Sequence, residues 1–273
     1  MSNPVQNTSP NTAEQALITR WESFVQKTET RFQESLQQST EMLVQQLQET
    51  DYDYNTTFRT WQAVKDKIFA LIDTIGTTWK HKVEPLMKKE GDAWVNVRDS
   101  VSSIENRLHN ELEVYHLSIQ GQLAELTYNH LLPLVDKDYF CTQCGAPIRI
   151  KTTIFRAQYI TCNACNTTNT IDLETKFVFL LHNLDDIAAY RSIDAYKTMQ
   201  NALTKIQDCR PPAPDALWQD YETTYYAYHH QKLDEIAKLK EMTTEEMEAK
   251  KEKIKAELTE YINIQKHNKY GEN

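Results

Sequence analysis

The sequence predicts a mainly α protein: a long-helix bundle, a coiled-coil-like scaffold, with one small β module inserted in it. Three observations predict this. Only 5 Gly and 8 Pro are spread over 273 residues, too few chain-breakers for a turn-rich all-β fold. Apolar residues recur at steps of three and four through most of the chain, which is the spacing of one helix face. Residues 138–175 abandon that spacing and hold four of the five cysteines.

Residues 1–11, rich in Asn, Ser, Thr and Pro, read as a disordered tail. Thr12 with Gln15 three residues later reads as a capping box opening the first helix. Trp21, Phe24, Thr28, Phe32, Leu36, Leu43 and Leu47 mark its face to about Gln48. Asp51 to Asn55 is a polar connector. A second helix follows through Phe58, Trp61, Val64, Ile68, Ile72, Ile75 and Trp79, and Pro85 should kink or end it. Gly91 is the expected terminator and Asp92 the next N-cap.

The third helix has the clearest period. Val97, Val101, Ile104, Leu108, Leu112, Tyr115, Ile119, Leu123 and Leu126 repeat every 11 residues, so the stripe stays nearly straight or winds slightly right-handed. From Asp92 to Leu132 it would be about 60 Å long at the helical rise per residue. Gly121 inside it reads as a weak spot. Helical spacing returns at Phe177 and is expected to run to about Gln207. Arg210 to Asp215 is a proline-stiffened turn, with Asp215 as a candidate cap. The next helix carries Trp218, Tyr221, Tyr225, Tyr228, Leu233 and Ile236. A second capping box, Thr243 with Glu246, starts a charged final helix whose narrow apolar side is Ile254, Leu258 and Ile262. The expected count is five or six helices.

The cysteines follow a doubled pattern. Cys141-Thr-Gln-Cys144 is separated by 17 residues from Cys162-Asn-Ala-Cys165. Two residues between cysteines let the chain turn tightly enough to put both sulfurs on one ion, and two such knuckles supply the four thiolates of a tetrahedral site. Gly145 and Asn166 follow the knuckles and suit the positive φ that aims backbone amides at the sulfurs. Residues 147–152 and 158–161 read as two strands of a hairpin between the knuckles, and 167–173 as a candidate third strand. On Cys141, Cys144, Gly145, Cys162 and Cys165 the segment resembles the zinc-ribbon family. The resemblance covers about 35 of the 273 residues. It implies a fold and one structural metal ion and no particular activity. Zinc is the expected ion and iron, as in rubredoxin-like proteins, the alternative, because both accept tetrahedral sulfur. Four protein ligands leave no open position for a catalytic water. Cys209 is read as a bystander thiol.

The resulting domains are a tail (1–11), an N-terminal helical region (12–136), the zinc ribbon (137–175) and a C-terminal helical region (176–273) packing with the N-terminal helices. A ribbon is small, so the helices on either side of it are expected to run antiparallel and carry it at one end.

Other constellations are weaker. Rubrerythrin-like proteins join a helical bundle to a four-cysteine iron site, but a di-iron bundle needs two Glu-x-x-His motifs. The chain has one, Glu113 to His116. Zinc-protease and phosphate-loop motifs are absent from the sequence. Arg149, Lys151, Arg156, Phe155 and Tyr159 on or near the hairpin are candidate contacts to nucleic acid or a partner. A net charge of −9, and Asp138, Asp172 and Glu174 nearby, oppose nucleic acid. The stripe Trp218, Tyr221, Tyr225, Tyr228 with His229 and His230 reads as helix packing rather than a ligand site. No run approaches the roughly 18 apolar residues of a membrane span. The polar N-terminus shows no signal pattern, so the expected location is cytoplasmic. The expected function is a non-enzymatic interaction or scaffold protein, its zinc ribbon presented by a helical stalk to a protein partner or a second copy. A ribbon-based nucleic-acid factor and a rubredoxin-like iron protein are the alternatives.

Overall fold

The structure, a computed structural model, describes residues 12–90, 94–135, 138–149, 158–171, 175–210 and 212–270. The tail at 1–11, the Gly91–Asp92 boundary and the candidate contacts Lys151, Phe155 and Arg156 lie outside the described residues. The fold is mainly α with a small inserted β region. The helices are α1 (Thr12–Glu49), α2 (Tyr54–Thr78), α3 (Glu84–Glu90), α4 (Trp94–Val135), α5 (Thr175–Arg191), α6 (Ile193–Asp208), α7 (Asp215–Leu239) and α8 (Thr244–Tyr270). The strands are β1 (Tyr139–Phe140), β2 (Pro147–Ile148), β3 (Gln158–Thr161) and β4 (Thr168–Ile171).

The chain divides into two compact units, one formed by the chain up to Thr50 with Asn55–His116, the other by Asp51–Tyr54 with the chain from Leu117 onward. The division falls inside α4. The apolar stripe of that helix is narrow in the first unit, where Val101, Leu108 and Leu112 are buried. In the second unit it widens to Ile119, Leu123, Ala124, Thr127, Tyr128 and Leu131.

The first unit is a bundle of α1, α2 and the N-terminal part of α4. In α1, beyond Glu14 in the first turn, the buried residues are Trp21, Val25, Thr28, Phe32, Leu36, Ser39, Leu43 and Leu47. These repeat with the same 11-residue period as α4, and Val25 rather than Phe24 occupies the stripe. Thr28 is tolerated inside because its hydroxyl donates to the Phe24 carbonyl at 3.0 Å. Gln46 reaches Thr60, and Trp21 packs on Trp79, so α1 and α2 are antiparallel. Glu29 pairs with Arg107 and Gln33 donates to Glu111, so α1 and α4 are parallel. Pro85 does not end the second helix. Residues Trp79–Val83 open into a π turn, in which the Glu84 amide bonds the Trp79 carbonyl, and α3 continues from Glu84. The wider turn accommodates a proline that lacks an amide and would clash with a tight preceding turn.

In the second unit α6, α7 and α8 run antiparallel in turn. Lys205 pairs with Asp220 between α6 and α7, and Lys266 with Asp215 between α7 and α8. Their core is Met199, Ala202, Ile206, Trp218, Tyr221, Tyr228 and Leu258. The expected single helix to Gln207 is instead broken at Ser192 (φ −106°, ψ 16°). Arg191, just before the break, is held by Glu125 at 2.7 Å and Glu235 at 3.4 Å. Asp215 is the first residue of α7 rather than its cap, which is Pro214, and its carboxylate takes Lys266 at 3.2 Å. The connector before α2 is tied down: Asp51 and Tyr52 take positive φ, and Tyr52 stacks on His130 at 3.8 Å.

The second capping box forms reciprocally. The Glu246 amide donates to Thr243 Oγ1 at 3.1 Å and the Thr243 amide to Glu246 Oε2 at 3.0 Å. Thr243→Ala is expected to destabilise the protein by about 1 kcal/mol, read from the urea midpoint of the helical signal.

Candidate metal centre

Each knuckle is the turn of its own hairpin. β1 pairs antiparallel with β2, with Phe140 opposite Pro147 and Tyr139 opposite Ile148. β3 pairs with β4, with Thr161 opposite Thr168 and Ile160 opposite Asn169. This corrects the expected pairing of 147–152 with 158–161: among the described residues the partners are the strands that a knuckle joins. The reason is local, because a knuckle already reverses the chain. The Gly145 amide donates to the Cys141 carbonyl and the Cys141 amide to the Ala146 carbonyl, at 2.9 and 2.8 Å. The second knuckle repeats both bonds, Asn166 to Cys162 at 2.9 Å and Cys162 to Thr167 at 2.8 Å. Gly145 at φ 72° and Asn166 at φ 58° supply the left-handed residue that each turn requires.

The two turns bring the four sulfurs together, all within 4.8 Å of one another. The closest pairs join the knuckles: Cys141 to Cys165 at 3.5 Å and Cys144 to Cys162 at 3.6 Å. Four thiolates about 2.3 Å from a central ion would sit about 3.8 Å apart, so the separations fit a tetrahedral ion. The four cysteines therefore form a group that can hold a metal ion, as a zinc-ribbon-like module would. The same donors suit zinc and iron.

The local field favours thiolate at two positions. Backbone amides of Cys144 and Gln143 bring the Cys141 thiol down to about 6. The hydroxyl and amide of Thr167 lower Cys165. The Ala146 amide acts the same way on Cys144, but the Cys165 sulfur, burial, and the sulfurs of Cys162 and Cys141 outweigh it and push Cys144 up to about 12. Four sulfurs this close cannot all ionise without a cation among them. Cys141 and Cys162 are buried with Ile148, whereas Cys144 is exposed.

Sequence reasoning did not find Asn169, which is buried in β4 and donates to Cys141 Sγ at 3.5 Å. It also did not find the link from the Thr167 hydroxyl to the side-chain Oε1 of Gln143, which joins the two knuckles. Tyr159 is 75% exposed and points away from the small core that Tyr139 and Ile160 help to cover. Phe140, on β1, is 59% exposed. Arg149 follows β2 and is exposed.

The remaining constellations pack. Glu113 pairs with Lys65 at 2.8 Å, and His116 Nδ1 accepts from Trp61 Nε1 at 2.9 Å. Burial, and then Lys65, lower the His116 pKa, which keeps the ring neutral as that bond needs. The Trp218–Tyr221–Tyr228 stripe is core. Burial brings His229, whose ring lies tilted against Tyr225 at 4.1 Å, down to about 4. The Cys209 thiol donates to the Arg210 carbonyl at 3.5 Å. Among the described residues no helix is long and apolar enough to cross a membrane.

Fold and site together define a mainly helical protein with an inserted four-cysteine module able to hold a metal. No family model, curated protein or solved structure matches the chain.

Proposed function

We propose that this is a non-enzymatic interaction or scaffold protein. Its ribbon holds one structural zinc ion and is presented by coiled-coil-like helices to a protein partner or a second copy. The observation that carries this reading is the complete four-thiolate set with Phe140 and Tyr159 facing outward on the strands beside it. Four sulfurs fill a tetrahedral shell, so the ion has no free position for chemistry. An ion of this kind fixes a fold whose own core is too small to hold it together. Large aromatics on so rigid a frame are suited to anchoring a partner, since little conformational entropy is lost on binding. Thiolate ligands suit a reducing compartment, which supports a cytoplasmic location.

Two measurements test the reading. Metal analysis of the purified protein should give one zinc per chain; iron, or more than one ion, would return the redox alternative. Proximity labelling in cells should then lose a defined set of proteins when Phe140 and Tyr159 are both changed to Ser. An unchanged set defeats the docking role. A set that disappears on nuclease treatment would favour the nucleic-acid reading, in which Tyr159 stacks on bases and Arg149 meets phosphate.

A further inference from the structure

The two hairpins correspond at an offset of 21 residues. Cys141, Cys144, Gly145 and Ala146 match Cys162, Cys165, Asn166 and Thr167, and the knuckle bonds match with them. The correspondence changes character at one buried position. Ile148 in β2, 7% exposed, is matched by Asn169 in β4, 3% exposed. Ile148 packs as an apolar side chain against Cys141 and Cys162. An amide buried at the matching place costs free energy unless its polar atoms are bonded.

The Asn169 side chain is bonded at both ends. Oδ1 accepts from the Thr142 amide at 2.8 Å and from the Thr142 hydroxyl at 3.0 Å. Nδ2 donates to the Thr167 carbonyl at 3.0 Å and to Cys141 Sγ at 3.5 Å. One side chain of the second hairpin thus fixes the main chain between the first two cysteines, the loop after the second pair, and one sulfur. A single hairpin lacks this connection.

We infer that Asn169 is a positioning residue of the metal centre: it clamps the first knuckle onto the second and moderates the Cys141 thiolate by an N–H···S bond. The inference rests on the reading that the four cysteines hold one ion. Two consequences separate the clamp from simple space-filling. A preformed ligand set binds more tightly, and loss of outer partners of a metal ligand typically weakens binding roughly 10- to 100-fold. A sulfur that loses an N–H donor also becomes a stronger electron donor, which moves its charge-transfer band to lower energy.

The test uses the full chain, with zinc affinity measured against a chromophoric chelator and the sulfur-to-metal band measured with Co2+ at saturation. Asn169→Ala and Asn169→Leu are compared with wild type, the second because it keeps the volume and removes every polar atom. Thr170→Ala, the exposed neighbour on β4, is the control. Both Asn169 variants should still take one ion, with zinc affinity roughly 10- to 100-fold weaker and the Co2+ band shifted to the red. Thr170→Ala should match wild type. Wild-type affinity and spectrum in Asn169→Leu overturn the inference, even if Asn169→Ala is weak, because the role would then be volume. Failure of the wild-type chain to bind an ion would instead overturn the metal reading beneath it.

Discussion

Replacing Cys141 and Cys144 with Ser is expected to unfold both hairpins and leave the helical circular dichroism nearly intact. The hairpins have almost no other source of stability. Among the described residues their buried core is Cys141, Ile148 and Cys162, helped by half-buried Tyr139, Ala146, Ile160 and Cys165, so three of these seven side chains are themselves metal-ligand cysteines. Removing two ligands removes more than two contacts, because the structural ion supplies about 10–16 kcal/mol in small zinc peptides. Isolated two-stranded hairpins are marginal in water. Neutral serine hydroxyls do not replace thiolates as ligands. The helices have separate cores: Phe32, Leu43, Trp61 and Ile72 in the first unit, and the Trp218–Tyr221–Leu258 cluster in the second. The expected result is absence of bound metal, loss of the dispersed hairpin amide resonances, new proteolytic cuts between Tyr139 and Ile171, and little change at 222 nm. A global loss of helical signal would mean that the ion organises the bundle, and the module could not then be a separate docking head.

The features legible in the sequence are those set by residues close together in the chain. The Thr243–Glu246 box, the four cysteines, and the positive φ at Gly145 and Asn166 all depend on a few neighbouring residues, and all are found where expected. The α4 stripe was readable for the same reason, through Val101, Leu108, Leu112, Ile119 and Leu123. What the sequence hid depends on distant partners. A β-branched run fits a strand but does not say which strand it joins: among the described residues 147–148 pairs with 139–140, and 158–161 with 168–171. Asn169 looks like a loop residue until Thr142, 27 positions away, supplies its donors. Ser192 breaks a helix without glycine or proline, at a residue with no exposed surface. Nothing in the even period of α4 marks the point at which its neighbours change.

Gly121 shows how far a local reading can mislead, and its substitution is the other large expected effect. Intrinsic propensity makes Gly121→Ala stabilising by about 1 kcal/mol in a helix interior. The structure reverses the sign. A Cβ at Gly121 would lie 2.3 Å from Tyr190 Cβ and 2.4 Å from the Asp186 carbonyl oxygen. Both belong to α5, and the second is main chain inside a helix, so neither can rotate away. The two helices must separate, which loosens the packing around buried Leu184, Ile187 and Ala188 and disturbs the Glu125–Arg191 ion pair. Overpacking typically costs about 1–3 kcal/mol, and a clash against a helix main chain and a Cβ fixed to it belongs at the upper end, so Gly121→Ala should be destabilising by about 2 kcal/mol net. Gly76 provides the contrast. Its added Cβ would meet Glu105 Oε1 at 2.5 Å, but that carboxylate ends a flexible side chain and can swing aside. Gly76→Ala should therefore lie within about 1 kcal/mol of wild type, since helix propensity offsets the lost contact. Urea denaturation of the two variants side by side decides the matter. A Gly121→Ala protein as stable as wild type would mean that α4 and α5 do not approach at Gly121, and the glycine would then be only the weak spot that its propensity suggests.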